Sequence, residues 1–404
     1  VAILLAVVAA IAATVVLRPG GGMVEPTAVE PTAYFSAAQL ERAADFRGVQ
    51  RLLGLAGLLL TAAVLALIAL RPPRLVRRAI ERAAERPLLG GAAVGAGLAI
   101  TVTVAGLPLA AWRHERAVDV GLSTRSIGPW LGDVALGAGI GAIYAAIGGI
   151  AVVALLRRFP RRWWMPASGL VVGTAVVLLY LQPVVIDPLF NEFEPLPRGD
   201  LRADVLDLAE RAGVDVGEVY RVDASRRTTG VNAYVGGIGH TKRVVLYDNL
   251  IEDLPPRQVR SVVAHELGHV AHRDLWRGLL WIAIVAAPAM LLVQRLAERF
   301  AGLPSNGSAP RGPTFLPAVA LAFALVGFTV GCASNVLSRE VERSADSFAL
   351  ELTDDSQAFI QLARGLAIRN VSEPDPPALF HTLFGTHPTA IERIGHGAAY
   401  GRER

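Results

Sequence analysis

Val262-Val-Ala-His-Glu-Leu-Gly-His-Val-Ala-His272 is the stretch on which this chain turns, because it contains His265-Glu266-Leu267-Gly268-His269. On a helix, residues four apart lie nearly one above the other, about 40° round the axis and about 6 Å along it. Two imidazoles so placed can bind one Zn2+ from a single face. Glu266, next to the first histidine, projects beside the metal and can take a proton from water. The flanks predict a helix: Pro255 and Pro256 suit its first turn, and Asp253 is placed as its cap. Val259, Val262, Val263, Leu267 and Val270 supply the apolar positions. Short motifs of this kind also recur by chance, and a buried histidine is often only structural. The weight therefore falls on the rest of the chain.

Of 404 residues, 53% are hydrophobic and only 18% charged. Several uncharged apolar runs reach the ~20 residues needed to cross a bilayer, which marks a polytopic membrane protein. The net charge of +4 does not point to nucleic acid, because the arginines cluster beside apolar runs, where they face headgroups or set topology. Lys242 is the sole lysine, a compositional bias. The single cysteine, Cys332, excludes both a disulfide framework and a cysteine-rich metal site.

Seven spans are expected: Val1–Leu17, Leu52–Leu70, Leu88–Ala111, Val134–Leu156, Trp163–Ile186, Gly278–Val293 and Phe315–Ala333. The first has the length of a signal-peptide core but lacks a basic start and a cleavage site, and a chain opening at Val1 is expected to begin upstream. The sixth is short and holds Pro288, which suits a helix ending within protein. Gly90, Gly91, Gly95, Gly97, Gly137, Gly139 and Gly141 predict close packing of the third and fourth spans. A polar segment, Asp187–Arg277, separates the fifth and sixth spans, and a polar tail, Asn335–Arg404, follows the seventh. The segment reads as a helix over Asp200–Ala212 and strands near Glu218–Val222, Asn232–Val235 and Arg243–Tyr247. Gly236, Gly237 and Gly239 join the last two strands as a hairpin. Pro304–Pro313 reads as a loop.

A catalytic zinc site keeps three protein ligands and an open position. His272, on the same face as His265, is one candidate for the third, but three ligands along one straight helix would spread over about 10 Å. A histidine six residues beyond His269 is absent, since Leu275 stands there. The stretch Ser338-Arg-Glu-Val-Glu-Arg-Ser-Ala-Asp346 is the better source. On a helix Glu342 and Asp346 share a face, so Glu342 can ligate while Asp346 orients a ligating histidine from behind. Acidic residues at this spacing also mark ordinary solvated faces.

Taken together, His265-Glu-Leu-Gly-His269 and Ser338-Arg339…Glu342…Ala345-Asp346 resemble the type I CAAX prenyl endopeptidase family and its HtpX-type relatives, which are zinc metallopeptidases. Pro188–Leu196, Asn232-Ala-Tyr234, Lys242–Asp248, Thr386-His-Pro388 and Arg393 carry the resemblance further, over about residues 187–393. It implies His265, His269 and Glu342 as ligands of one Zn2+, and Glu266 as general base. It implies that Asn232, Ala233 and Tyr234 lie on the strand pairing with substrate, that His387 stabilises the oxyanion, and that Asp346 and Arg393 support the site. The chemistry agrees: a histidine can donate to the oxyanion formed when water attacks a polarised carbonyl, and an exposed strand edge suits an extended peptide. Glu340, His240, His272 and His381 read as structural or solvated. Asp133 and Gln182 read as interfacial.

The expected fold is a mainly α-helical polytopic membrane protein of about seven transmembrane helices. Residues 1–186 form an N-terminal membrane region of five spans. Residues 187–404 form an α+β gluzincin-type domain that includes spans 278–293 and 315–333. By resemblance the spans enclose a chamber, and the substrate is a membrane-associated protein or a peptide lipidated at its C-terminus. The rivals are a quality-control protease, a transporter or channel with a zinc domain, and an inactive scaffold. The spans lack the buried ionisable residues of an ion pathway, and the intact Glu266 argues against a scaffold. Loops 71–87, 157–162 and 294–314 share one side, and the first two are arginine-rich, so the positive-inside rule puts the catalytic domain outside. The resemblance implies a cytoplasmic site. Each ligand helix is expected to be continuous, or nearly so, with its adjoining span, with Gly331 at the packed seam between the sixth and seventh spans.

Overall fold

The computed structural model describes residues 2–20, 23–237, 242–303 and 312–403. Gly239, His240 and most of the loop 304–313 lie outside the described residues. Six helices are long and apolar enough to cross a membrane. They are α2 (Ala37–Leu70), α4 (Pro87–Asp119), α5 (Ile127–Arg158), α6 (Trp164–Leu181), α10 (Asp274–Phe300) and α11 (Leu316–Thr353). The first expected span is the shorter apolar helix α1 (Ala2–Val16), whose Thr14 hydroxyl accepts a 3.0 Å hydrogen bond from the Trp281 indole of α10. Exposed Leu59, Val104, Ile143, Ile147 and Val177 give the membrane helices the apolar outer surface that lipid requires.

Several of these helices outrun the apolar stretches that announce them, α2, α4 and α11 by the most at a single end. α2 begins at Ala37, where Ser36 and Gln39 form a reciprocal capping box, well ahead of Leu52. α4 runs on past Ala111 to Asp119, and α11 past Ala333 to Thr353. These three extensions emerge on one side of the membrane region. There the turn between α4 and α5 bridges to the polar domain through Ser123 and Thr228. Asp133, expected at the interface, is held by ion pairs to Arg125 and Arg227, and Gln182 donates to Asp187 at 2.8 Å. On the opposite side lies the amphipathic α3 (Arg74–Ala83), beside the turn preceding α11.

Glycine explains only part of the membrane packing. A Cβ on Gly91 would sit 2.7 Å from the Gly149 carbonyl oxygen, and Gly95 and Gly149 are equally closed by backbone, so α4 and α5 meet there directly. Gly97, Gly137, Gly139 and Gly141 face open space and contribute nothing to that contact. Gly331 is open as well, so it is not a packed seam.

The polar domain is built on a sheet in the order β1-β2-β4-β3: β1 (Phe193–Pro195), β2 (Glu218–Val222), β3 (Ala233–Gly236) and β4 (Arg243–Tyr247). β2 and β4 are parallel, and β3 and β4 form the expected antiparallel hairpin, with Tyr234 opposite Val245. Val219, Val244 and Leu246 of the sheet pack with Val205 and Leu208 of α7 (Asp200–Arg211) and with Val259, Val263 and Leu267 of α9 (Pro256–Ala271). Pro256 opens α9 as expected, but Asp253 is not its cap. Asp253 ends the short α8 (Asp248–Asp253) and instead accepts from Arg369 at 2.7 Å. After α11 come α12 (Ser356–Arg369), α13 (Ala378–Phe384) and α14 (Ala390–Glu403).

The junctions of the helices bearing His265 and Glu342 with their spans differ. α11 carries its span and Glu342 on one unbroken helix. α9 does not run into α10: Arg273 adopts a left-handed conformation, φ 56°, and a new helix starts at Asp274. A left-handed arginine is uncommon. What the break accomplishes is visible at His269.

Candidate metal centre

His265 and His269 stand one turn apart on α9, and α11 crosses against them at Gly268. A Cβ on that glycine would meet Phe348 Cδ1 at 3.1 Å and Ala345 Cα at 3.3 Å. This close approach brings Glu342, one turn before Asp346 on α11, over the two imidazoles. His265 Nε2 lies 3.2 Å from His269 Nε2 and 3.2 Å from Glu342 Oε2, and His269 Nε2 lies 3.7 Å from Glu342 Oε1. Ligand bonds of 2.0–2.1 Å arranged tetrahedrally separate donor atoms by about 3.3 Å. The three side chains each bring a ligand atom to within 4.8 Å of the others, a cluster that fits a metal ion. Glu342 Oε2 is buried and, apart from its 3.2 Å approach to His265 Nε2, has no polar partner among the described residues, an arrangement that a cation at the centre would satisfy.

Each imidazole is backed by a carboxylate. Asp346 Oδ1 lies 2.8 Å from His265 Nδ1, and Asp274 Oδ2 lies 3.0 Å from His269 Nδ1. Both leave Nε2 turned to the common centre, which fixes each ring's orientation and raises its basicity. Asp346 is fully buried and is held by Arg393 through two hydrogen bonds, Nε at 3.0 Å and Nη2 at 2.6 Å. Asp274 is ion-paired to Arg277. Burial alone would lower the His265 pKa, but Asp346 and Glu342 beside it outweigh that and push it up to about 10. The donor set thus holds enough negative charge to favour a cation. Burial raises the Glu266 carboxyl above its ordinary range while the two histidines pull the other way. A raised carboxylate is a better proton acceptor.

Glu266 opens into a cavity of about 840 Å³ that His265, His387, Asn232 and Arg393 also line. His387 Nε2 is 3.4 Å from Glu342 Oε1, and its Nδ1 is 2.8 Å from the Thr386 hydroxyl. Asn232 sits just before β3 rather than within it, and its carbonyl accepts from Tyr247 N at 3.2 Å. β3 is an edge strand: among the described residues no strand pairs with its outer side, so its backbone can take an extended peptide. Tyr234 points its hydroxyl to Asp187 at 3.4 Å.

Other residues singled out from sequence lie apart from the donor atoms. His272 binds the Ser344 hydroxyl at 3.0 Å and packs on Phe348, and Glu340 pairs with Arg343. His381 lines the cavity 4.0 Å from Glu392. Two supporting roles are not marked in the sequence, that of Asp274 and that of Arg339, which the sequence offers only as a motif position. Asp274 reaches His269 only because of the break at Arg273, and nothing in the sequence marks that break. Arg339, one turn before Glu342, donates to the carbonyls of His381, Thr382 and Gly385 at the end of α13, steadying the loop that bears His387.

Residues 195–398 match the model of peptidase family M48, and residues 29–192 match the CAAX prenyl protease N-terminal region of five membrane helices. An uncharacterized metalloprotease of Bacillus subtilis, YhfN, is 34% identical over 245 residues, 60% of this chain and 58% of that protein. A CAAX prenyl protease 1 homolog of Arabidopsis thaliana is 29% identical over 54% of this chain and 52% of its own length. The chain therefore aligns with between half and three fifths of these relatives. The crystal structure of Ste24p from S. mikatae superposes with a TM-score of 0.72 at 20% identity, covering 92% of this chain and 91% of that one, so the fold is shared. With half of its residues matched by one family model, and the site built from that half, the chain belongs to peptidase family M48.

Proposed function

We propose that this multi-pass membrane protein is a zinc endopeptidase of the CAAX prenyl protease type, with residues 1–186 as a membrane region and 187–404 as the catalytic region. The observation that carries this reading is the convergence of three donors, the Glu266 carboxyl and a strand edge left unpaired among the described residues around one cavity. His265, His269 and Glu342 would hold the zinc ion, which when bound acidifies water and polarises a peptide carbonyl. Glu266 accepts the proton from the attacking water and passes it to the leaving amine. Nε2–H of His387 donates to the oxyanion as charge develops there. The edge of β3 after Asn232 aligns the peptide backbone.

The substrate is a peptide on a membrane-associated or C-terminally lipidated protein. The cavity continues along Gly54, Leu55 and Leu58 of α2 and Phe328 of α11, an apolar wall within reach of the membrane. The catalytic side is cytoplasmic, as the resemblance implies, against the arginine bias of the far loops. Labelling single cysteines at the exposed positions 85 and 375 in a Cys332→Ser background with an impermeant maleimide decides the side. The activity itself is tested on the purified full chain by zinc analysis and cleavage of a quenched fluorescent peptide. The parent should contain one zinc and cleave. Glu266→Gln should retain zinc and lose at least a hundredfold in rate, the lower range for a general base. Zinc lost from that variant, or activity within tenfold of the parent, would overturn the assignment.

A further inference from the structure

The cavity has a second charged end, away from the metal. Arg47 and Arg51 stand one turn apart on the upstream extension of α2, and Arg113 stands on the downstream extension of α4; all three line the cavity. Among the described residues, the only carboxylates lining the same cavity are Glu266, at the His265 end, and Glu373. The arginine end is therefore cationic, and its guanidinium groups repel one another.

The three arginines are engaged differently. Arg47 donates to the carbonyls of Asn370 and Val371, tying down the chain that follows α12. Arg51 is ion-paired to Glu373 and lies over the Phe380 ring at 5.6 Å. Arg113 is fixed without being neutralised. Its Nε donates to Gln50 Oε1 at 3.0 Å, and Gln50 Nε2 donates back to the Arg113 carbonyl at 3.0 Å. Both terminal nitrogens of Arg113 are left without a protein partner among the described residues. A guanidinium oriented by its neighbour, with its planar fork free and apolar Leu55 and Phe380 lining the same cavity, is suited to bind a carboxylate.

We propose that Arg113, supported by Arg51 and Glu373, forms an anion subsite that takes a carboxylate of the bound peptide. This deepens the endopeptidase reading and rests on it. The carboxylate has two sources, the peptide's C-terminus or an acidic side chain, and the subsite would select substrates by charge at a distance from the scissile bond.

The test is binding to the full chain in detergent, loaded with zinc and carrying Glu266→Gln so that no turnover interferes. The probes are one fluorescein-labelled apolar peptide in three forms: free C-terminal acid, C-terminal amide, and amide with one internal glutamate. The acid or the glutamate form should bind about tenfold tighter than the plain amide, the order expected of one charge-assisted hydrogen bond. Whichever form gains identifies the source. Adding Arg113→Gln should abolish the preference, and Arg113→Lys, which keeps the charge without the fork, should retain only part of it, with zinc content unchanged in both. Equal binding of all three forms, or a preference that survives Arg113→Gln, would overturn the subsite. Failure of the endopeptidase reading would show separately, as an absence of cleavage of every peptide by the parent while the binding preference still reports on Arg113.

Discussion

Asp274 Oδ2 lies 3.0 Å from Nδ1 of His269, and the contact exists because the chain breaks at Arg273 between two helices. Had α9 continued straight into α10, residues five apart would point to different faces and the carboxylate would miss the ring. The two histidines are thus supported from different elements: His265 by Asp346 of α11, His269 by the first residue of a membrane helix.

Removing that support should loosen the metal. Asp274→Asn is expected to lower zinc affinity by about 10- to 100-fold, the usual cost of losing a carboxylate behind a ligating histidine. Competition with a chromophoric chelator measures it. Affinity within twofold of the parent would mean that the Arg273 break serves only to redirect the chain.

Replacing Glu342 by Ala removes one corner of the donor triangle, so zinc content should fall close to zero in protein dialysed against a weak chelator. His272→Ala and Glu340→Ala should keep the metal, because those side chains contact Ser344 and Arg343 respectively. Metal analysis of the three variants side by side checks the assignment. Zinc retained in Glu342→Ala and lost from His272→Ala would reverse it.

The distance between the histidines and Glu342 is set where Gly268 meets Ala345 and Phe348. Gly268→Leu should force α9 off α11, costing about 1–3 kcal/mol of stability as overpacking does, together with loss of zinc. Gly331→Leu, with open space around its Cβ, should change neither. Thermal unfolding and zinc content of the two variants provide the comparison, and equal behaviour of both would remove Gly268 as the seam.

Proton release reports on His265. With its pKa pushed up to about 10, the metal-free imidazole is protonated near neutral pH, whereas ligation requires the neutral ring. Metal binding should therefore release this proton near neutral pH, and the release should vanish as the pH rises through about 10. The same shift sets the sign for stability. A histidine with a raised pKa stabilises the metal-free fold most fully below its unfolded value of about 6.5, and that contribution is lost as the pH rises through about 10. Titration calorimetry in buffers of different ionisation enthalpy counts the protons; a count that does not change across this range contradicts the protonated site.

Much of the site is legible in the sequence because its spacing is local. His265, Glu266 and His269 fall within five residues, and Glu342 and Asp346 within another five, so helical periodicity alone places each set on one face. The membrane helices are legible for a similar reason, since apolar length is a property of a continuous run. Their ends are not, because hydropathy stops at Leu52 and Ala111 while helical hydrogen bonding continues through polar residues. What only the tertiary structure decided depends on neighbours remote in sequence. Asp274 becomes a support through a backbone break that no glycine or proline announces, and Gly268 becomes the seam through Phe348. Arg113 lines the cavity, its terminal nitrogens without a partner among the described residues, only because α2 and α4 project past the apolar stretches that announce them. Local pattern fixes which residues share a face; only packing fixes what that face meets.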